Sequence, residues 1–434
     1  MEHRGFTPTR RRAAVLSGLV LTTTAMLAGP ASAGMTGTKV EFSGATNFTI
    51  GAGLPWSVRT ADFNNDGKPD IVTANAGQLG WNGVSVLLNA TPRGAGAPVF
   101  GKPANLNAGW ATTGVAAADF NGDGKADIAA ANTGSVYFNA VSVFTNKTPD
   151  GATTAGFGEA RQFAGGLGAS QIAAADMNGD GKPDIIVGNF ASPFVTGVSV
   201  LINTTQRGAQ QPSFAGPEFF TEGWGSEGIG VGDLNGDGKP DVVIGNTISS
   251  QVSVLFNTTK PGAGKPSFAP VKQIFSPLAT AIGLADFNGD GKLDIAAAST
   301  VSTPGAGVYV WTNNTPVGSL EPKFDNKRAF GTGFLAEDIA VADYNGDGKP
   351  DLAVANDVSV PGLIEGVSVL VNTTPAGSPD IDFAKQQLLS TGGIGTNTIA
   401  TADFTGDGKP DLTTGNVVTL VGKDGVSVLV NQTN

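Results

Sequence analysis

The chain has 434 residues, of which 63 are glycine and none is cysteine, and its formal net charge is −11. The single histidine, His3, lies near the N-terminus, so the rest of the chain cannot form a thiol nucleophile, a Ser-His-Asp triad or an ordinary zinc site. A hydrophobic content of 40% with only 15% charged residues is typical of a folded, turn-rich β protein rather than a disordered chain. Any metal site must therefore be built from oxygen ligands.

The first 33 residues have the pattern of an export signal. A basic stretch, Arg10–Arg12, precedes an apolar run over residues 13–29, and Ala31-Ser32-Ala33 supplies the small residues of a cleavage site. The adjacent arginines are compatible with export by either the Sec or the twin-arginine route. We therefore expect a signal peptide over residues 1–33 and one secreted domain over residues 34–434, without a membrane span.

The predicted mature chain is strongly acidic. Removal of residues 1–33 takes away four arginines and one glutamate, which leaves 22 basic and 36 acidic residues and a net charge of −14. Such a surface argues against a nucleic-acid partner, because binding to phosphates needs a basic face. Without cysteine, the exported fold must be held together without disulfides, and we expect it to be a monomer.

A nine-residue motif, D-x-N-x-D-G-x-x-D, recurs seven times at spacings of 57, 57, 57, 53, 57 and 60 residues. Each copy lies between two short apolar runs. A segment of the type V-S-V-L-x-N follows each copy, and a weaker segment then opens at a phenylalanine. The motif copies begin at Asp62, Asp119, Asp176, Asp233, Asp286, Asp343 and Asp403. The weaker segments open at Phe42, Phe100, Phe157, Phe214, Phe268, Phe324 and Phe383.

Four short β-like segments in each unit, separated by glycine-rich turns, are typical of a propeller blade. Each unit thus has four segments: the two apolar runs, the V-S-V-L-x-N segment and the segment that opens at a phenylalanine. After the leader, the chain starts with a segment of the fourth kind near Phe42 and finishes with one of the third kind. This phase gives seven copies of each segment, or 28 strands, and lets the first strand complete the last blade and remove exposed sheet edges. The sequence therefore predicts an all-β, seven-bladed β-propeller with four strands per blade, whose N-terminal strand closes the last blade.

The motif also predicts a calcium site in each blade. Positions 1, 3, 5 and 9 offer side-chain oxygens, position 6 is a glycine that permits a tight turn, and the lysine at position 7 offers its main-chain carbonyl. An EF-hand is excluded, because position 12 lacks the bidentate glutamate. The predicted ligands are Asp62, Asn64, Asp66, Lys68 and Asp70; Asp119, Asn121, Asp123, Lys125 and Asp127; Asp176, Asn178, Asp180, Lys182 and Asp184; Asp233, Asn235, Asp237, Lys239 and Asp241; Asp286, Asn288, Asp290, Lys292 and Asp294; Asp343, Asn345, Asp347, Lys349 and Asp351; and Asp403, Thr405, Asp407, Lys409 and Asp411.

We expect up to seven Ca²⁺ ions with a structural role and a modest affinity, on the order of 10⁻⁴ to 10⁻³ M, as in other extracellular modules. The copy with Thr405 in place of asparagine should be the weakest site. Seven divalent ions would cancel the net charge of −14 predicted for the mature chain. The Asn-x-Thr sequons recur at the same point of every unit, which favours turn capping by the asparagine side chain over glycosylation.

These residues resemble the FG-GAP/VCBS-type repeats, which also form the propeller head of integrin α chains. The resemblance covers residues 39–434, and the signature that names the family survives as Phe100-Gly101 and Phe157-Gly158. It implies calcium loops on the lower face of the propeller and a partner on the opposite, upper face. Bacterial members are mostly exported proteins, and some similar propellers are lectins. A shared propeller scaffold does not identify the partner.

Tryptophan side chains mark the predicted partner face. Trp56, Trp110 and Trp224 fall in the predicted connections from a fourth strand to the next blade, Trp81 falls in a second-to-third connection, and Trp311 falls in a third strand. The two kinds of connection share the face opposite calcium, and exposed tryptophan is typical of glycan and protein binding. We therefore expect a non-catalytic binding or adhesion module for glycans or for cell-surface or extracellular proteins. Local packing of these rings into the blade tops is the alternative.

A polysaccharide-acting enzyme, either a hydrolase or a lyase, is the second hypothesis. Its candidate carboxylates are Glu222 and Glu227 beside Trp224, or Glu337 and Asp338, all of which the sequence places in connections on the upper face. A carboxylate pair can hydrolyse glycosides at a suitable separation, which the sequence does not give. No catalytic constellation is recognisable, so we expect no enzymatic activity.

Overall fold

The computed structural model of the protein describes residues 20–22, 37–51, 53–77, 83–134, 140–190, 197–221, 223–303, 306–358, 366–419 and 425–434. Within these ranges every regular element is a β-strand. None of the described residues belongs to a helix that could cross a membrane.

The strands form seven antiparallel four-stranded sheets, which we number as blades 1 to 7. The first strands are Leu54–Ala61, Thr112–Ala118, Ala169–Ala175, Ser226–Gly232, Ala279–Ala285, Phe334–Ala342 and Gly393–Ala402. The second strands are Asp70–Ala76, Asp127–Asn132, Asp184–Asn189, Asp241–Asn246, Asp294–Thr303, Asp351–Val358 and Asp411–Thr419. The third strands are Gly83–Leu87, Val141–Phe144, Gly197–Leu201, Gln251–Leu255, Ala306–Asn313, Val367–Leu370 and Gly425–Leu429. The fourth strands are Ala104–Asn107, Arg161–Phe163, Glu218–Phe220, Lys272–Phe275, Phe324–Phe330, Gln387–Leu389 and Thr46–Thr49.

The blades form a closed ring, and the predicted seven-bladed propeller is confirmed. The first strands of neighbouring blades contact each other all the way round, so they lie innermost. Blade 7 takes its fourth strand, Thr46–Thr49, from the start of the domain, paired antiparallel with Gly425–Leu429. A further short strand, Val20–Thr22, pairs in parallel with the first strand of blade 4. We call the face that carries the motif loops the lower face and the opposite face the upper face.

Side chains at motif position 2 fill the space between blades. Each of them is almost fully buried, and in five blades it is an aromatic ring packed edge-on against the phenylalanine that opens the fourth segment of the next blade. Phe63 and Phe157 show the contact, with ring centroids 5.8 Å apart and an interplanar angle of 71°. The edge-to-face geometry adds to the energy of apolar burial, so this part of the motif serves packing.

The asparagine of each sequon joins neighbouring blades. In blade 2, the Asn146 amide donates to the carbonyls of Ala126 in its own blade and of Phe63 in blade 1, at 2.8 and 2.9 Å. Its Oδ1 accepts the N–H of Thr148 at 2.8 Å. Equivalent bonds occur in all seven blades, where these asparagines are buried. The prediction of turn capping is confirmed, and the side chain also holds two blades together. The seven residues are Asn89, Asn146, Asn203, Asn257, Asn313, Asn372 and Asn431.

Candidate functional site

The seven motif loops gather oxygen atoms on the lower face. In blade 3, Asp176 accepts the N–H groups of Asp180 and Gly181 at 3.1 and 2.7 Å. Asn178 Oδ1 accepts the same Asp180 N–H at 3.1 Å, and Asp180 Oδ1 accepts the N–H of Lys182 at 3.0 Å. Because one N–H group is shared by the side chains of positions 1 and 3, their oxygens lie on the same side of the loop. The glycine at position 6, with φ of 80° in Gly181, allows the turn.

The next blade fixes the orientation of the position-3 amide. Asn64 donates through Nδ2 to the carbonyl of Ala152 in the third-to-fourth turn of blade 2 at 2.9 Å. Its own main-chain carbonyl accepts the N–H of Gly151 from the same turn at 2.6 Å. Since the nitrogen end is occupied by this carbonyl, the oxygen end faces the loop. The loops therefore support the contacts between blades as well as presenting oxygen atoms.

The aspartate at position 9 is fully buried in every blade. In blade 1, the oxygens of Asp70 accept the N–H groups of Phe63 and Asn89 at 2.8 and 2.7 Å. Burial, together with a smaller contribution from the nearby Asp62 and Asp66 carboxylates, raises the pKa of Asp70 to about 7 despite these bonds. A bound cation would stabilise the charged form of such a carboxyl group.

The donor set fits a hard cation of the calcium class. It contains carboxylate, amide and main-chain oxygens, without nitrogen or sulfur, which is the chemistry that Ca²⁺ prefers. In the described ranges, no three acidic or histidine side chains form a metal cluster by themselves. The side-chain oxygens of positions 1, 3, 5 and 9 all accept main-chain N–H groups, so direct coordination would use the lone pairs that remain. Calcium binding at all seven predicted sets of ligands stays a prediction.

Blade 7 departs from the other loops at position 3. Thr405 replaces asparagine, and its hydroxyl is buried without a hydrogen-bond partner, whereas the Thr405 carbonyl still accepts the N–H of Gly94 at 2.6 Å. The shorter side chain offers an oxygen to the loop but lacks the amide that reaches the next blade. An unpartnered buried hydroxyl costs free energy of folding; that this site is the weakest for calcium stays a prediction.

The substitution Thr405→Asn should restore the amide oxygen that position 3 offers to the loop and the amide hydrogen bond that it makes to the next blade. We expect it to raise the free energy of unfolding by about 1 kcal/mol in calcium, because the new amide regains a hydrogen bond to blade 1 and supplies a better ligand. Urea unfolding in calcium and in chelator measures the gain. The gain should be smaller in chelator, where only the hydrogen bond contributes. A variant that is no more stable than the wild type in calcium would contradict the expectation.

On the upper face, Trp224 forms one wall of an open pocket on blade 4. The other lining residues are Thr221, Gly223, Ser249, Gln251 and Gln273. The Trp224 carbonyl accepts the N–H groups of Ile248 and Ser249 at 3.1 and 3.2 Å, so its main chain is tied to the second-to-third connection. The indole itself remains 52% exposed. None of the six lining residues is charged, so the pocket combines a flat apolar ring with hydroxyl and amide groups.

The other four tryptophans differ from one another in their positions. Trp110 lies in the predicted fourth-to-first connection and is 69% exposed. The prediction for Trp56 was wrong, because it lies within the first strand Leu54–Ala61 and is partly buried. Trp81 lies outside the described residues, and Trp311 is buried in a third strand as predicted. Of the four predicted ligand-binding residues, the structure thus places Trp110 and Trp224 as exposed rings on the upper face.

The candidate catalytic carboxylates do not form a site in surface connections, and this prediction was wrong for three of the four. Glu227, Glu337 and Asp338 lie inside first strands and are almost fully buried. Burial raises the pKa of Glu227 well above its usual range. Asp338 accepts hydrogen bonds from the Thr398 hydroxyl and the Ile399 N–H at 3.0 and 2.9 Å, so it joins two blades. Glu222 lies outside the described residues.

A second repeated network on the upper side was missed by the sequence analysis. An asparagine at or near the end of the second strand donates to the serine of the V-S-V segment, as Asn132 does to Ser142 at 2.8 Å. A glycine of the incoming connection packs on this asparagine so closely that a Cβ on Gly109 would lie 2.5 Å from the Asn132 side chain. Aligning the repeats would have revealed the asparagine, because it recurs at Asn75, Asn132, Asn189, Asn246, Asn356 and Asn416.

Comparisons with known proteins agree with this architecture. Models of the FG-GAP repeat match residues 54–88, 111–144, 168–200 and 227–255, and a model of the FG-GAP-like repeat matches residues 286–354. No curated protein matches the chain. Among solved structures, a lectin of Agrocybe aegerita described as recognising non-reducing terminal N-acetylglucosamine is 20% identical, with a TM-score of 0.43 over 87% of this chain and 94% of the lectin chain. This low similarity carries no information on what the present chain binds. The chain therefore contains FG-GAP and FG-GAP-like repeats, and its described strands form an integrin-like, seven-bladed β-propeller.

Proposed function

We propose that this protein is a secreted, non-catalytic, calcium-stabilised propeller that binds neutral glycans on its upper face. The observation that carries the proposal is the Trp224 pocket, in which a half-exposed indole stands beside uncharged hydroxyl and amide side chains. Tryptophan presents an apolar ring at low cost in conformational entropy. The neighbouring Thr221, Ser249, Gln251 and Gln273 offer the donors and acceptors that sugar hydroxyls require.

The charge of the pocket favours a neutral sugar over an acidic one. None of its lining residues carries a positive charge, and the chain as a whole is acidic. A uronate or sulfated sugar would therefore bring its charge to a surface that offers no counter-charge in the pocket. A neutral hexose or N-acetylhexosamine fits without this cost.

The chemistry of the structure favours binding over catalysis. Glu227, three residues after Trp224, is buried in a first strand and would not meet a glycosidic bond at the surface, and Glu218, three residues before Thr221, is paired with Lys265 at 2.6 Å. A protein partner is the second candidate, because the exposed Ile248 and Phe275 also lie in blade 4 and apolar side chains are typical of protein contacts.

The change Trp224→Ala should weaken binding to a neutral-glycan surface at least tenfold, because it removes the apolar wall of the pocket. A glycan array that includes neutral and acidic polysaccharides measures the loss, with calcium and with chelator. Circular dichroism checks the fold, and Phe334→Ala, which truncates an exposed aromatic of blade 6, is the matched control. A folded, calcium-loaded wild type that binds no glycan would contradict the proposal and favour a protein partner.

A further inference from the structure

Blade 2 carries a tryptophan at the same repeat position as Trp224 in blade 4. Trp110 and Trp224 each lie nine residues before the first aspartate of their motif loops, Asp119 and Asp233. Both rings are exposed, by 69% and 52%. We propose that Trp110 forms a second site for the same class of neutral glycan, so that the protein is bivalent. This inference rests on the proposed function and adds the second site to it.

The local backbone holds the two tryptophans in the same way. In blade 2, Gly134 N–H donates to the Trp110 carbonyl at 3.0 Å, and Thr133 N–H donates to the Ala111 carbonyl at 2.9 Å. The two equivalent bonds of blade 4 measure 3.1 and 3.0 Å. Ala111 has a φ of 55°, a left-handed conformation that a residue with a Cβ rarely adopts. Leu278 and Leu335 at the same repeat position have φ of 39° and 52°, so this turn is a feature of the repeat and presents the preceding side chain in the same way in each blade.

A glutamine also recurs at the same position of the fourth strand, and in blade 2 its Oε1 accepts the Ser142 hydroxyl at 3.1 Å. Gln273 of the blade 4 pocket pairs across the sheet with Ser253, and Gln162 pairs with Ser142 in blade 2. In both blades the connection passes close to the asparagine that ends the second strand. A Cβ on the blade 2 glycine of this connection would lie 2.5 Å from that side chain, and 2.7 Å in blade 4. An exposed indole and a glutamine amide therefore occur at matching places on both blades.

Blade 6 has the exposed aromatic ring but not the glutamine. Its residue at the same repeat position is Phe334, which is also exposed. There, however, Leu388 pairs with Ser368 where blades 2 and 4 have glutamine. Leucine offers no hydrogen bond to a sugar hydroxyl. We therefore assign two sites, and Phe334 supplies an aromatic control that has the position without the amide.

Two sites on one face have a consequence for polymer binding. Blades 2 and 4 are separated by one blade of the ring. Both tryptophans lie at upper-face connections, so both sites open on the same face. A polysaccharide chain or a coated surface that reaches both sites would be held with an effective concentration set by their spacing, so that it binds more tightly than a short oligosaccharide.

The test follows the indole N–H signals of the tryptophans by nuclear magnetic resonance. The calcium-loaded protein, labelled with ¹⁵N-tryptophan, is titrated with cellotetraose and with tetra-N-acetylchitotetraose, which are neutral β-linked oligosaccharides of a hexose and of an N-acetylhexosamine. The signals are assigned from the variants Trp110→Ala and Trp224→Ala. We expect two indole signals, those of Trp110 and Trp224, to shift with the same oligosaccharide. Each variant should keep the response of the other site, Phe334→Ala should keep both, and the double variant should show neither.

The outcomes separate the two proposals. A shift of the Trp224 signal alone, abolished by Trp224→Ala and unaffected by Trp110→Ala, would overturn the second site and leave the proposed function in place. No shift with either oligosaccharide, in a protein whose circular dichroism is that of the folded state, would contradict the proposed function for these glycans and the second site with it.

Discussion

Removal of calcium is expected to lower the free energy of unfolding by about 10 kcal/mol, the largest single effect that we predict. A ligand at ten times its dissociation constant stabilises the folded state by about 1.4 kcal/mol per site, so seven sites contribute about seven times that amount. The physical reason is the crowding of three carboxylates in each loop, which the ion would neutralise. Urea unfolding in 10 mM Ca²⁺, on the order of ten times the expected dissociation constant, and in chelator measures the difference.

Three comparisons define the origin of this effect. Mg²⁺ at the same concentration should stabilise much less, because it prefers a strict octahedron and keeps its water. Asp180→Asn, which removes one loop carboxylate, should reduce the calcium effect by about one site. Asp380→Asn changes an exposed aspartate of the third-to-fourth turn of blade 6, outside the motif, and should leave the calcium effect intact. Identical unfolding curves in calcium and in chelator would rule out a structural role for calcium.

Replacing Asn313 by alanine is expected to cost about 2–4 kcal/mol of folding free energy. The Asn313 amide donates to the carbonyls of Leu234 and Leu293, both at 2.8 Å, and its Oδ1 accepts the N–H of Thr315 at 3.0 Å. Truncation leaves these three buried groups without partners and removes a contact between blades 4 and 5. Chemical unfolding of the wild type and the variant, both in calcium, measures the loss.

The adjacent residue supplies the matched control. Asn314 is only partly buried and donates to Asp325 at 3.3 Å, so Asn314→Ala should change stability by less than about 0.5 kcal/mol. Equal losses for the two variants would mean that the sequon asparagine has no special role between blades. The same geometry makes Asn313 a poor glycosylation acceptor, because its amide nitrogen is buried.

The fold was predictable because the repeat contains most of the information. The number of blades follows from the apolar segments and the seven glycine turns. The closing strand follows from the fourth segment near Phe42, which precedes the first complete unit. The calcium loops were equally visible, since their ligands lie within nine residues of each other. The amide of Asn64, by contrast, is oriented by Ala152 in the next blade, and a contact over this distance in sequence has no local signal.

The errors in the predicted site have one common cause. Every first strand contains a β-bulge, and Trp56, Glu227 and Glu337 each lie at the shift in register. A bulge breaks the alternation of inward and outward side chains. The alternating sequence pattern by which a strand is recognised therefore ends at the bulge, although the strand itself continues towards the upper face. These residues were therefore assigned to surface connections, whereas Trp110 and Trp224, which lie beyond the strand, were placed correctly.

The closing strand of blade 7 also has a consequence for how the molecule is made. Ser427 donates to Asn47, a residue 380 positions away in sequence, so the first strand of the ring to be synthesised finds its place only after the last one exists. Closing a loop of this length is entropically costly and slow. Until it closes, blade 7 and the strand Thr46–Thr49 expose unpaired edges that favour aggregation. The propeller therefore depends on protection of its nascent chain for as long as the full ring takes to be completed.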